Sequence, residues 1–324
     1  IKDMAGLDQG QCRRSQDGDF GLTMDGREIR FRVATCPMVD GERMAIHVID
    51  PDRALPGLSD LLSEAHERRI RGLLAEPCGV ILVAAPSRRE RTTVLWAMVE
   101  ALNCRERNIV VVETSTGPTM AGVNRSRTQP SAGYSFAEAV DALAGQDPDV
   151  VMVDGVRSSP AAAALVDLAR DGTMVLVGMG GRSPATAAST FAEMCGQGCL
   201  LSSALLAVIE QRAVRRLCAD CRTQTAASEE LLATAGLKGL AFPVYVGAGC
   251  PRCANTGYAG TAVLSAILEV DQAVARCIRL GLDADAFERA SPMAGPALLR
   301  KAALESLQAG TTSLEEIVRA LPRR

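Results

Sequence analysis

The fold of this 324-residue chain is decided by the stretch Gly79-Val80-Ile81-Leu82-Val83-Ala84-Ala85-Pro86-Ser87-Arg88-Arg89-Glu90-Arg91-Thr92-Thr93-Val94-Leu95-Trp96. A continuous apolar run is followed by a short turn and then by apolar residues at helical spacing. This pattern predicts a strand, a loop and a helix. Such a setting is typical of a phosphate-binding loop, in which backbone N–H groups and a lysine surround the phosphates and a Ser or Thr holds Mg²⁺.

The phosphate-binding motif G-x-x-x-x-G-K-[ST] itself is absent from this stretch. With the motif aligned on Thr92, Arg91 stands at the lysine position, and Ala85 and Glu90 stand at the two glycine positions. Glycines at such positions allow the backbone to adopt φ > 0 and to approach the phosphates closely. The sequence therefore predicts the framework of a nucleotide site with altered chemistry.

Further strands and helices are predicted on both sides of this stretch. Apolar strand-like runs lie at 79–84, 108–113, 150–153 and 173–178, with helical patterns at 92–102, 136–144 and 160–170. Continuous apolar strands that alternate with helices predict a parallel sheet covered on both faces, that is, an α/β core. Ligands of such sheets bind beyond the carboxyl ends of the strands, where Ala85–Thr92, Glu113, Asp154 and Gly178–Arg182 lie.

The chain is predicted to form three regions. Residues 1–57 predict a small α+β domain, with strands at 20–24, 28–33 and 44–49, a hairpin turn at Asp25-Gly26 and a linker. The nucleotide-binding core is predicted at 58–200 and begins with a helix at 61–74. Residues 201–324 predict a C-terminal helical region, because residues 200–217 show helical spacing of apolar residues.

The composition argues against several classes of protein. A net charge of -3 gives no general reason to expect nucleic acid. With 3% aromatic residues, no stacking surface accompanies Arg215 and Arg216, which favours packing or subunit contacts for these two residues. The longest uncharged run, 194–209, is too short and too polar to span a bilayer. No secretory signal is recognised, so a cytoplasmic location is expected.

The eleven cysteines fall into two classes. Seven are scattered and are interpreted as small, half-buried hydrophobic residues in a reducing compartment. The other four form two C-x-x-C pairs: Cys218, Cys221, Cys250 and Cys253, within an insertion at 218–253. Two such pairs can bring four thiolates into a tetrahedron around a structural zinc with no open coordination position. Four reduced thiols and two disulfides are the alternatives.

Ten short motifs, each different, follow one another along the chain: Gln16-Asp17-Gly18, Gly41-Glu42-Arg43, Gly79–Val83, Gln146-Asp147-Pro148-Asp149, Gln211-Arg212, Arg215-Arg216-Leu217-Cys218, Gly249-Cys250-Pro251-Arg252-Cys253, Thr256-Gly257-Tyr258, Gly310-Thr311-Thr312 and Glu315-Glu316. In this order they resemble the type II secretion and type IV pilus assembly ATPases over nearly the whole chain. The resemblance implies a RecA-like P-loop ATPase core, a PAS-like N-terminal domain truncated at its start, a tetracysteine zinc element and a ring of six subunits. It also implies pilin or pseudopilin assembly beneath an inner-membrane platform protein, and hence a cytoplasmic position at the inner membrane through partners.

The resemblance also identifies the candidate site residues. The candidate nucleotide-binding residues are Pro86, Ser87, Arg88, Arg89, Glu90, Arg91, Thr92, Thr93 and Arg32, and the candidate catalytic carboxylates are Glu113 and Asp154. The family counterpart of Arg32 approaches the nucleotide phosphates. Glu113 belongs to an acidic box, and Asp154 stands one residue before the position of a water-activating carboxylate.

The departures from the family pattern coincide with the catalytic features. Three glycine positions of the loop hold residues with a Cβ, and an arginine is not equivalent to the lysine it replaces. Thr173 and Gly180 stand where the family has two histidines. The favoured hypothesis is a degenerate member with weak or absent ATP hydrolysis, acting in a homomeric or heteromeric ring or as an assembly subunit. The alternatives are a divergent but active motor, in which Arg91 and Asp154 act on ATP and Mg²⁺, and a module that binds nucleotide without turnover.

The cationic start of the predicted helix has two interpretations of its own. Arg88, Arg89, Arg91 and Thr92 form either an improvised anion site at a helix N-terminus or a solvated charged loop. The solvated loop is the favoured interpretation at the level of sequence.

Overall fold

The N-terminal strands form a separate antiparallel sheet. In the computed structural model of this chain, the described residues are 1–24, 26–49, 55–114, 117–129, 133–156, 158–237, 242–291, 295 and 297–321. Strands β1 (Gln16–Met24), β2 (Arg27–Met38) and β3 (Gly41–Ile49) pair in that order. The three predicted strands are thus confirmed. Of the predicted hairpin turn, Gly26 has φ +78°, and Asp25 lies outside the described residues.

The rest of the chain is built around one large sheet. The elements that follow β3 along the chain are α1 (Leu58–Leu61), α2 (Glu64–Leu74), β4 (Gly79–Ala85), α3 (Arg88–Leu102), β5 (Ile109–Glu113), β6 (Val123–Arg127), α4 (Phe136–Asp141), β7 (Val150–Asp154), α5 (Ser159–Arg170), β8 (Met174–Gly180), α6 (Pro184–Cys195), α7 (Gly198–Ala204), β9 (Leu205–Leu217), β10 (Arg222–Thr225), α8 (Glu229–Thr234), β11 (Val244–Gly247), β12 (Tyr258–Glu269), α9 (Gln272–Arg279), α10 (Ala284–Ala290), α11 (Ala297–Gln308) and α12 (Leu314–Ala320).

The order of strands in the large sheet is β12-β9-β4-β8-β7-β5-β6, and β10 pairs with β11 in a small hairpin. All neighbours in the large sheet run parallel except β12, which is antiparallel to β9. The α/β class and the mostly parallel sheet predicted from the apolar runs are confirmed. The carboxyl ends of β4, β5, β7 and β8 meet at one edge, as a parallel arrangement requires.

The central strands of the sheet are covered on both faces, as β4 shows. Every residue of β4 is buried. Val80 and Leu82 pack into the core formed with α4, α5 and α6, whereas Ile81 and Val83 pack against α1, α2 and α3 on the other face. A third core joins β9 and β12 to α8, α11 and α12. No helix in the described part of the chain is both long and apolar enough to cross a membrane.

The helical spacing read at 200–217 is wrong for most of that segment. The helix α7 ends at Ala204, and residues 205–217 form the strand β9. Nearly all of its first eight residues are buried between β4 and β12. The apolar run at 204–209 fits a buried helix and a central strand equally well, so apolar spacing alone could not separate them. Two strands that lie beyond residue 200, β9 and β12, complete the large sheet. The division of the chain at residue 200 stays a prediction.

Candidate functional site

The connection between β4 and α3 is shorter than a phosphate-binding loop. Only Pro86 and Ser87 separate the strand from the helix, which begins at Arg88. The Ser87 hydroxyl accepts the Glu90 N–H at 3.3 Å, and the Glu90 carboxylate accepts the Ser87 N–H at 3.1 Å and the Ser87 hydroxyl at 2.6 Å. This capping box satisfies N–H groups that would otherwise face a ligand. The next N–H, that of Arg91, already bonds the Ser87 carbonyl at 3.5 Å.

The side chains at the start of α3 converge on one carboxylate. Asp154, the last residue of β7, accepts hydrogen bonds from Nε of Arg88, Nε of Arg91 and Oγ1 of Thr92, each at 2.7 Å. The Asp154 side chain is 6% exposed, that of Arg91 is 14% exposed and that of Arg88 is 35% exposed. Ion pairs with such short hydrogen bonds are the strong ones. The cation at the lysine position and the hydroxyl at the Mg²⁺ position are therefore both engaged by a group of the protein itself.

The neighbouring strand leaves the space that this network fills. Asp154 pairs in register with Gly178 of β8. A Cβ on Gly178 would lie 2.7 Å from Oδ1 of Asp154 and 3.1 Å from Cδ of Arg91. A glycine inside a buried strand signals the close approach of another group. From the sequence, Gly178 is predicted only to lie at the end of a strand, and its role in making room for Asp154 and Arg91 is not predicted.

The other candidate nucleotide-binding residues do not join this network. Pro86 and Arg89 are exposed, and Thr93 donates to the Arg89 carbonyl at 2.9 Å within the helix. Arg32 lies on β2, where Nε and Nη2 pair with Asp17 of β1 at 3.1 and 2.6 Å. The solvated loop favoured from the sequence does not describe Arg91, whose guanidinium is mostly buried against Asp154.

Glu113 ends the strand next to β7 but belongs to a different ion pair. Its neighbour Val112 is in register with Val153, and its carboxylate pairs with Nη2 of Arg125 at 2.6 Å. Burial raises the pKa of Glu113, and the Arg125 guanidinium opposes that rise. Each of the two candidate catalytic carboxylates thus has its own arginine partners. Among the described residues, only the four cysteines come together as a group able to hold a metal ion.

The four cysteines lie close enough together to hold one zinc ion. Their sulfur atoms lie within 4.8 Å of one another, with Sγ–Sγ distances of 3.8 Å for Cys218–Cys250, 3.8 Å for Cys221–Cys253 and 3.7 Å for Cys250–Cys253. A tetrahedral zinc with Zn–S bonds of about 2.3 Å has S–S edges of about 3.8 Å. The four side chains fit zinc, and these separations are far longer than the roughly 2.05 Å of a disulfide bond.

The surroundings of one sulfur of this cluster favour its thiolate form. Burial acts to raise the pKa of Cys253, but the N–H groups of Cys250 and Gly257 donate to its Sγ, both at 3.2 Å, and lower the pKa to about 6. N–H donors directed at sulfur are typical of zinc knuckles, because the thiolate is the ligand.

Comparison with known proteins decides the family. The profile described as "Type II/IV secretion system protein" matches residues 1–319. The chain belongs to this family. It is 33% identical over 321 residues to the type II secretion system ATPase E of Vibrio cholerae, covering 98% of this chain and 64% of that protein. It is 28% identical over 322 residues to the type IV pilus assembly ATPase PilB of Thermus thermophilus, covering 98% of this chain and 36% of that protein.

Solved structures show the same fold. The pilus retraction motor PilT with bound ADP matches with a TM-score of 0.65 at 16% identity, over 96% of this chain and 78% of that one. The Legionella pneumophila ATPase DotB matches with a TM-score of 0.63 at 15% identity, over 94% and 76%. These likenesses confirm the expected RecA-like fold. This member of the secretion family spans 64–65% of the length of the type II secretion relatives from Vibrio cholerae and Escherichia coli.

A buried carboxylate that the sequence did not reveal as special lies on the other face of the sheet. Glu210 of this secretion-family chain is 0% exposed and pairs in register with Ala84. Nη2 of Arg212 lies 2.8 Å from its Oε1, but the guanidinium donates to the carbonyls of Gln211 and Arg182. Burial raises the pKa of Glu210 to about 7, opposed by Arg212 and reinforced by Glu288. A single Glu within an apolar strand carries little signal, because its burial depends on the neighbouring strands.

The stability of this chain is expected to fall with rising pH because of Glu210. A carboxyl with a pKa of about 7 in the folded chain and 4.5 otherwise stabilises the fold fully below pH 4.5, and this contribution is lost as pH rises through about 7. Relative to the Glu210→Gln variant, the free energy of unfolding of the natural chain should decline between pH 5 and 8 by up to about 3 kcal/mol. Urea denaturation at a series of pH values measures this.

The matched control is Glu106→Gln, a substitution of an exposed glutamate. This variant should follow the natural chain at every pH. A constant difference between the Glu210→Gln variant and the natural chain from pH 5 to 8 would mean that Arg212 keeps Glu210 ionised throughout.

Proposed function

We propose that this chain is a secretion/pilus ATPase family subunit with weak or absent ATP hydrolysis, which acts as a ring or assembly subunit. The observation that carries the proposal is the binding of Asp154 by Arg88, Arg91 and Thr92. These are the groups that a nucleotide would need for its phosphates and Mg²⁺.

A nucleotide would have to compete with the carboxylate of Asp154, which is part of the chain itself and cannot diffuse away. Asp154 is always present beside the two guanidinium groups, so the competent, open form is a minor population. The apparent affinity for nucleotide falls by that fraction. The first turn of α3 would also have to unwind to free its N–H groups, which breaks the capping box between Ser87 and Glu90. The Glu90 carboxylate adds a like charge beside any phosphate placed there.

The alternative function is a divergent motor that hydrolyses ATP. It is favoured by the two arginines at the N-terminus of the 15-residue helix α3, where anions are stabilised by the helix and by guanidinium donors. In that case Asp154 leaves the arginines when ATP binds and turns to Mg²⁺ or to water.

Assembly, metal and location are proposed from the family resemblance. We propose a structural zinc held by Cys218, Cys221, Cys250 and Cys253, and a ring of six subunits, either homomeric or formed with an active relative. The partner at the membrane would be an inner-membrane platform protein, contacted from the cytoplasmic side, with no nucleic-acid partner. We also propose the division into regions 1–57, 58–200 and 201–324.

The proposal is tested by calorimetric titration of the zinc-replete protein with a non-hydrolysable ATP analogue and Mg²⁺. We expect no heat of binding at attainable concentrations, because Asp154 occupies the cationic groups. Micromolar binding, about -8 kcal/mol, would favour the divergent motor instead. Phosphate release by the natural chain and by its Thr92→Ala variant would then decide between turnover and binding alone. Co-purification with an active family member tests the heteromeric ring.

A further inference from the structure

The first turn of α3 is bonded to β9 as well as to itself. Besides closing the capping box through Oε2, Glu90 accepts the backbone N–H of Ala213 through Oε1 at 2.7 Å. The capping box of α4 provides a comparison, since Glu138 there accepts the Ser135 N–H in the same way at 2.6 Å. The described hydrogen bonds of Glu138 remain within that cap. Glu90 therefore has a second bond that capping does not explain.

The same part of β9 is also held by α12. Glu316, which is 1% exposed, accepts the Arg215 N–H at 3.0 Å and pairs with the Arg215 guanidinium at 2.7 Å. It also pairs with Arg319 at 2.8 Å, and Arg319 reaches the Ala213 carbonyl at 3.5 Å. Ala213 thus donates to Glu90 through its N–H and accepts from Arg319 through its carbonyl.

The far end of β9 runs directly into the four-cysteine element. Leu217 donates to the Thr311 carbonyl at 2.9 Å, just before α12, and Cys218 donates to the Gly257 carbonyl at 3.0 Å. Gly257 in turn donates to Sγ of Cys253. Only four residues of β9, 214–217, therefore separate the residue bonded to Glu90 from the first cysteine of the cluster, and the register of β9 against β12 shifts within this segment.

We propose that Glu90 positions the start of α3 according to the state of the four-cysteine element, through residues 213–217 of β9, the adjoining Cys218 and the Glu316 contacts. A metal that fixes Cys218 fixes the end of β9, and the strand holds Ala213 where Glu90 can bond it. When the cysteines are released, the end of the strand loses its support and the Glu90 bond weakens. This inference rests on the proposed zinc and not on nucleotide binding.

Hydrogen exchange of the full chain, with zinc bound and after chelation, tests the proposal. Zinc content is measured in the same samples. In the natural chain, zinc removal should accelerate exchange at residues 88–93 at least about threefold, together with residues 213–218. In the Glu90→Ala variant, residues 88–93 should exchange fast with or without zinc, while residues 213–218 still respond. The Glu138→Ala variant, which loses only a cap, should respond as the natural chain does.

Two results would overturn the proposal. One is faster exchange at residues 213–218 with unchanged exchange at residues 88–93 in the natural chain. The other is independence of the Glu90 and Glu316 contacts in a double-mutant cycle. This second measurement needs no chelation, so it also applies if zinc removal unfolds the whole chain or if no zinc is found. In a double-mutant cycle of Glu90→Ala with Glu316→Gln, the effects on the unfolding equilibrium constant should depart from multiplicative by at least about threefold. Agreement within about twofold, as expected for Glu138→Ala with Glu316→Gln, means independence of the two contacts.

Discussion

Replacing Asp154 by alanine is expected to lower the free energy of unfolding by about 3 kcal/mol and, at the same time, to make the protein bind inorganic phosphate. The loss is at the low end for breaking a buried ion pair, because Arg88 keeps 35% of its side chain exposed and can be rehydrated. The gain follows because Arg88, Arg91 and the Thr92 hydroxyl lose their shared acceptor. Denaturation with increasing phosphate at constant ionic strength measures both effects.

Phosphate should restore part of the stability of this variant. At one hundred times its Kd, a ligand of the folded state adds about 2.7 kcal/mol, whereas the natural chain should show no comparable gain. Adding Arg91→Ala to the variant should abolish the phosphate effect. The control is Asp167→Ala, which removes an exposed pair with Arg170 at 3.8 Å and should cost less than about 1 kcal/mol. Equal phosphate responses in the natural chain and the Asp154→Ala variant would contradict the assignment of Asp154 as the occupant of an anion site.

Replacing Cys250 by serine is expected to abolish zinc binding and to unfold the four-cysteine element locally, while the large sheet stays folded apart from the end of β9 next to Cys218. The element has little other support, because β10 and β11 form a two-stranded sheet of four residues each, and such a hairpin is marginal alone. Structural zinc supplies about 10–16 kcal/mol in zinc-finger peptides, so no local contact can replace it. Elemental analysis and limited proteolysis at residues 218–257 measure the two effects.

The control for this prediction is Cys199→Ser, which changes an exposed cysteine on α7 outside the cluster. This variant should keep one zinc per chain and the proteolytic pattern of the natural protein. If the Cys250→Ser protein retained the same zinc content, the four cysteines would not be the metal ligands.

The central part of the fold could be predicted because it rests on local patterns. The strands β4, β5, β7 and β8 are short apolar runs bounded by turns and helices, and each appears within two residues of its predicted bounds. By contrast, β9 could not be assigned from spacing, because burial on both sides removes the period of two that identifies a strand. Its partner β12 followed from no local signal, since Ala, Gly and Ser occupy much of it.

The candidate site was predictable in position and not in its contacts. The chemistry at the lysine position depends on a carboxylate 63 residues away in sequence, and the sequence gives no measure of that distance in space. Charged residues at a turn are usually solvated, so a buried role for Arg91 could follow only from the register of β7 against β8. The cysteine cluster, by contrast, could be predicted, because the spacing within each C-x-x-C pair already indicates two ligands of one metal.

The contacts of Asp154 also constrain how this chain can change over generations. Substituting Arg91 by lysine, or Arg88 or Glu90 by glycine, would disturb the contacts of Asp154 or the cap of α3. Each such step alone leaves Asp154 with a missing partner or α3 without its cap, at a cost that is a sizeable part of the 5–15 kcal/mol that holds a typical protein together. Because residues in one network do not act additively, stepwise substitution toward a glycine-rich loop passes through less stable intermediates. We therefore expect a lineage that has acquired this network to keep it, and to vary at the exposed positions Pro86 and Arg89 instead.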